Sequence, residues 1–143
     1  MDLGLAAGEI LILAGPSGSG KSRLLRALAD LDPISSGEVC LKGRAMSEYA
    51  APAYRRAVAY QPPTPVLGPD AVADLLARAA HLHGHVAQST LEAGLRRLGL
   101  EGELLARAGT DLSTGEALRV ALGLLLAAEP EVLLLDEATA PLD

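Results

Sequence analysis

Eight consecutive residues, Gly15, Pro16, Ser17, Gly18, Ser19, Gly20, Lys21 and Ser22, fill the pattern G-x-x-x-x-G-K-[ST] completely. The pattern suits one task. Glycines let successive backbone N–H groups turn inward onto an anion, and a helix starting where the loop ends adds the positive end of its dipole. Lys21 supplies a mobile ammonium between β- and γ-phosphates, and the Ser22 hydroxyl is a ligand for Mg²⁺. The bland alternative is a flexible glycine turn ahead of an ordinary helix. About 115 residues further on, the apolar run Val132, Leu133, Leu134 and Leu135 delivers two adjacent carboxylates, Asp136 and Glu137. Asp136 is the candidate metal ligand, and Glu137 the candidate general base that polarises a water attacking the γ-phosphate. Without the loop, the same run reads equally well as a strand followed by a solvated turn.

Elements must hold these groups in place. Residues 9–14 form a short apolar run ended by Gly15 and Pro16, which predicts a strand buried on both faces of a parallel sheet. Leu24, Leu25 and Leu28 then recur at helical spacing until Asp32 and Pro33. Residues 38–41 and 57–60 are further strand candidates, with a turn at residues 42–44 and a polar piece carrying Arg55 and Arg56 between them. Pro62, Pro63 and Pro65 exclude regular structure and mark a stiff linker at residues 61–65. Residues 70–84, 91–98 and 102–108 carry Leu and Ala at helical spacing, with Ser89 and Glu92 as a capping box, and predict a small helical lobe. Leu112, Ser113, Thr114, Gly115 and Glu116 open one more apolar helix, to residue 128, before the strand at 131–135. Ser113 and Glu116 are sufficient as a capping box. The chain divides into residues 1–60, 61–111 and 112–143, with no internal repeat.

Composition narrows the classes. Of 143 residues, 50% are apolar and 21% charged, which suits one packed domain and excludes a disordered tail. Eighteen acids against twelve bases give a net charge of −6, and three tyrosines are the only aromatics, so the basic stripe and stacking platform of a nucleic-acid binder are missing. Cys40 is the single cysteine and forms no internal disulfide, and Asp2 and Glu9 replace the basic start of a signal peptide, which makes the cytosol the default compartment. The apolar stretch at residues 120–128 falls short of the roughly 20 residues needed to cross a bilayer.

Taken in order, the phosphate loop, the pentapeptide at residues 112–116, the acidic strand end and residues 140–143 (Ala140, Pro141, Leu142, Asp143) resemble the ATP-binding cassette (ABC) ATPases. In that family the pentapeptide is the signature L-S-G-G-Q or L-S-G-G-E, and residues 140–143 correspond to the D-loop. The resemblance runs from Gly8 to Asp143, and in feel is nearest to small bacterial ATP-binding proteins for iron or metal export. It implies an α/β fold: a RecA-like phosphate-loop NTPase core with a parallel sheet and an inserted helical subdomain, incomplete at both ends. It implies Mg²⁺ and ATP, and a head-to-tail homodimer, or heterodimer with a second ATPase subunit. Each ATP would lie between the loop of one copy and Ser113 and the Gly115 amide of the other. Hydrolysis would drive transmembrane permease subunits, which would hold the protein at the inner face of the cell membrane. The rival readings are a degenerate or fragmentary module that binds nucleotide without turnover, and another phosphate-loop enzyme such as a nucleotide kinase.

Four departures from the family pattern bear on turnover. The glutamine expected three positions after the strand tyrosine is replaced by Pro63 after Tyr60, and Gln61, the remaining candidate, lies roughly 6–7 Å early on an extended chain. Thr114 stands at the first signature glycine, where a β-branched residue adds bulk. Leu118 precedes Arg119 where the family has glutamine. The adenine-stacking aromatic has no counterpart, the switch histidine would lie beyond Asp143, and His81, His83 and His85 sit upstream in the helical lobe and read as solvated surface. An incomplete sheet is expected to leave strand edges and core exposed, with poor solubility.

Overall fold

Parallel pairing of two short strands sets the frame. The computed structural model describes residues 2–83 and 94–137. The chain enters through residues 8–19 without regular structure, then forms helix α1 (Lys21–Leu28), a two-stranded hairpin β1 (Cys40–Leu41) and β2 (Arg44–Ala45), helix α2 (Ala51–Ala57) and strand β3 (Val58–Gln61). Helix α3 (Val72–His83), two 3-10 turns at Gly102–Ala106 and Gly109–Asp111, helix α4 (Thr114–Leu126) and strand β4 (Val132–Leu135) complete it. β3 runs parallel to β4, with Tyr60 opposite Leu134 and Gln61 opposite Leu135.

Several expectations hold and several do not. The strand at 131–135, the helix opened by Ser113, the helix within 70–84 and the irregular prolines after Gln61 are all present. The strand expected at residues 9–14 is absent: that segment joins no ladder, and Ile10 and Ile12 are 90% and 83% exposed. An apolar run becomes a buried strand only where neighbours supply backbone partners and cover both faces, and no described residue does so here. Residues 102–108 make no α-helix. They form a 3-10 turn and then an extended bridge from Ala108 to Ala71. The polar piece at Arg55 and Arg56 is helical, because Pro52 is tolerated in the first turn and Tyr54 buries beneath it. Residues 94–97 are helical, whereas the expected capping box at Ser89 and Glu92 and the D-loop at 140–143 lie outside the described residues.

Two packing regions position the rest. Val72, Leu76, Leu100 and Val120 form the central cluster, joining α3 and Leu100, just ahead of the first 3-10 turn, to α4. Gly123 of α4 admits Leu100 and Leu95 at 3.0 and 3.1 Å from where a Cβ would sit, so the helical lobe seats closely against that helix. On the other side, the Tyr54 hydroxyl donates to the Leu28 carbonyl at 3.0 Å, and Arg55 donates to the Asp30 carbonyl, which ties α2 to the end of α1. The β1–β2 turn uses Lys42 and Gly43, both at positive φ, as a two-residue hairpin requires.

Candidate nucleotide site

The loop at residues 15–22 is built around its lysine. Lys21 Nζ donates to the carbonyls of Gly15 and Pro16 at 2.8 and 2.9 Å, and the Ser19 amide donates to the Pro16 carbonyl at 3.3 Å. Gly18 and Gly20 stand at φ 79° and 91°, a region that side chains rarely occupy. Gly20 is also the N-cap of α1, with no capping side chain and no acid in the first turn. The first-turn amides of α1 therefore lack a side-chain partner, and the positive end of the helix faces the loop uncompensated. Ser17, Ser19 and Ser22 are exposed. Lys21 makes no ion pair among the described residues, so its charge is free to meet an anion.

β3 and β4 sort the second group of residues by face. Side chains alternate along a strand, so Tyr60 and Asp136 share one face of the pair, and Gln61 looks to the other. The Tyr60 hydroxyl donates to Asp136 Oδ2 at 2.9 Å, and the Asp136 amide donates to the Gln61 carbonyl at 3.0 Å. Asp136 is only 3% exposed. Burial, then the bond to Asp136 and its negative charge, push the Tyr60 hydroxyl up to about 12, against a weaker opposing pull from the Arg26 guanidinium. Gln61 is 1% exposed, and its Nε2 donates to the Leu118 carbonyl of α4 at 3.0 Å. The amide expected to touch the attacking water is thus committed to α4, on the face away from Asp136. Its Oε1 has no partner among the described residues. Glu137 is exposed and sits at φ 53°, an uncommon left-handed conformation for a side-chain-bearing residue.

The signature segment forms a complete capping box. Glu116 Oε2 accepts from the Ser113 amide and hydroxyl, each at 2.8 Å, and the Glu116 amide donates to Ser113 Oγ at 3.3 Å. Arg107 donates to Glu116 Oε1 at 2.7 Å. The Ser113 amide and hydroxyl, then Arg107, hold the Glu116 carboxyl below its ordinary range. Thr114 enters α4 at negative φ without strain, and a Cβ at Gly115 would meet open space. Arg119 donates to the Leu98 carbonyl at 3.2 Å, linking α4 back to the helical lobe. In the sequence Tyr60 served only as the point from which the glutamine was counted, and Arg107 was not singled out. The parity of residues 60 and 136 in paired strands becomes informative only once the register is known.

The donors suit Mg²⁺. Asp136 is a buried carboxylate whose protein partner is a neutral hydroxyl, with no cation paired to it among the described residues, and Ser22 is an exposed hydroxyl in the first turn of α1. Mg²⁺ is commonly held by one or two such oxygen ligands together with substrate phosphates. No cluster of three or more His, Cys, Asp or Glu occurs among the described residues.

Comparison with known proteins agrees with the motifs. The family described as "ABC transporter" matches residues 1–140. The Fe(3+) ions import ATP-binding protein FbpC of Streptomyces avermitilis is 41% identical over all of this chain and 42% of its own length. The probable iron export ATP-binding protein FetA of Escherichia coli K12 is 35% identical over all of this chain and 64% of its own length. The chain therefore spans less than two thirds of either relative. Among solved structures, an ATP binding subunit of an ABC transporter superposes with TM-score 0.75 and 27% identity, over 90% of this chain and 56% of that one. The structure of cbiO1 from Clostridium perfringens, part of the ABC transporter complex cbiONQ, gives TM-score 0.70 and 27% identity over 90% of this chain and 54% of that one.

Proposed function

The chain belongs to the ABC transporter family, and on that premise we propose that it is the nucleotide-binding part of a transport ATPase that binds Mg²⁺ and ATP at residues 15–22. The observation that carries the reading is the loop itself: left-handed Gly18 and Gly20 lead into the uncapped start of α1, with Lys21 folded across the loop carbonyls. An arriving triphosphate offers Lys21 anionic oxygens in place of two neutral carbonyls, a stronger charge-assisted bond. Gly15, Pro16, Ser17, Gly18, Ser19 and Gly20 contribute backbone to the cradle.

Ser22 and Asp136 hold the metal. Bound there, Mg²⁺ supplies charge neutralisation on the phosphate oxygens. Glu137 polarises the attacking water. In a head-to-tail pair, Ser113 and the Gly115 amide of one copy close over the phosphate on the other, and the Ser113 hydroxyl exchanges its bond to Glu116 for the anion. Gln61 enters the chemistry only by giving up its bond to Leu118. Permease subunits couple the closure to transport and keep the protein at the inner face of the membrane. Among the described residues no helix is long and apolar enough to cross it.

Titration with a fluorescent ATP analogue tests the loop. Lys21→Ala is expected to weaken binding at least about tenfold, the effect of losing one charge-assisted contact. Glu137→Gln is expected to retain binding while phosphate release stops. Unchanged ATP affinity in Lys21→Ala overturns the assignment. A second reading, nucleotide binding without turnover, is favoured by the burial of Gln61 against α4. It predicts no phosphate release from the unaltered protein, even with Mg²⁺ and ATP saturating.

A further inference from the structure

We propose that Tyr60 is a positioning residue for the metal-binding carboxylate, a role that rests on the reading of Asp136 given above. Asp136 follows β4 immediately, and a carboxylate there can rotate about χ2 unless one oxygen is held. Tyr60 holds it. The parallel register sets Tyr60 opposite Leu134, and the alternation of side chains places Tyr60 and Asp136 on one face, where the hydroxyl reaches Oδ2 at 2.9 Å. Oδ1 keeps no protein donor among the described residues.

The chemistry of the donor matters as much as its position. A phenol at this point supplies a directional hydrogen bond yet carries no charge, so the carboxylate keeps its whole negative charge for a cation. An arginine or lysine in the same place would cancel it. Arg26 is forked onto Asp32 through two bonds of 2.9 Å. No arginine or lysine pairs with Asp136 among the described residues. Partners that orient a metal ligand in this way commonly change metal affinity by 10–100-fold when removed.

Tyr60→Phe deletes the hydroxyl and little else. Binding of an ATP analogue without divalent metal is expected to match that of the unaltered protein. Mn²⁺ affinity in the presence of ATP, followed by electron paramagnetic resonance, is expected to weaken about tenfold. If hydrolysis occurs, the Mg²⁺ concentration for half-maximal rate should rise by a similar factor while the rate at saturating Mg²⁺ stays within about twofold, a split that a merely structural loss does not produce. In an Asp136→Asn background, Tyr60→Phe should have no further effect on Mn²⁺ affinity, because the hydroxyl acts through that carboxylate. Equal Mn²⁺ affinity in Tyr60→Phe and the unaltered protein, or an undiminished effect in the Asp136→Asn background, overturns the proposal alone. Failure of the unaltered protein to bind Mn²⁺ in the presence of ATP overturns the metal site and the proposal with it.

Discussion

A single backbone angle shows how narrowly the loop is specified. Gly20 stands at φ 91° with nothing within 4 Å of where a Cβ would lie, so alanine there meets no clash and is opposed by backbone conformation alone. That cost is about 1–2 kcal/mol per residue outside the right-handed region. Gly20→Ala is therefore expected to leave the rest of the fold intact while reshaping the loop, with ATP affinity down at least about fivefold. Circular dichroism and analogue titration check the two halves of that statement, and full affinity in a well-folded variant would contradict the role given to Gly20. Glu137, at φ 53°, holds a similar conformation without being glycine.

Helix α4 depends on its first turn. Ser113 and Glu116 satisfy each other's backbone amides, and Arg107 locks the carboxylate from the preceding segment. Ser113→Ala is expected to destabilise the fold by about 1 kcal/mol in denaturant melts, the usual value of a lost N-cap. The carboxyl of Glu116 is held below its ordinary value of 4.5, chiefly by the Ser113 amide and hydroxyl and then by Arg107. A depressed carboxyl stabilises fully above its unfolded value and loses that contribution as pH falls through the folded one. Glu116→Gln should therefore be less stable than the unaltered protein at neutral pH, and the gap should shrink below pH 4.5 as the native carboxyl protonates. A gap that stays constant down to about pH 3 would show that the charge contributes nothing.

At the scale of the molecule, the loop, the acidic strand end and the signature turn are three separate pieces on one chain. Ser113 caps α4 through Glu116 in this structure, and in the proposed function it serves the phosphate bound by a second copy. ATP is then shared between two chains. Glu137→Gln with ATP is expected to double the mass seen by light scattering after size exclusion, because hydrolysis no longer dissolves the pair. Lys21→Ala is expected to remain monomeric under the same conditions. A Glu137→Gln protein that binds ATP and stays monomeric would contradict the shared site.

Local structure was legible from residue order. The pattern at residues 15–22, the capping box at Ser113 and Glu116, the helical spacing in α3 and α4 and the apolar run before Asp136 all depend on neighbours within a few positions, where propensity and hydrogen bonding act directly. Long-range partners followed no such rule. The run at residues 9–14 has the composition of a buried strand, yet it lies exposed, since composition does not provide the ladder a strand needs. Gln61 and Tyr60 are adjacent in the chain and were separated by strand pairing alone: the register of β3 on β4 sent the amide to Leu118 and the phenol to Asp136. Which side chain meets the Asp136 carboxylate is a property of that pairing, because alternation assigns faces only after two strands have chosen each other.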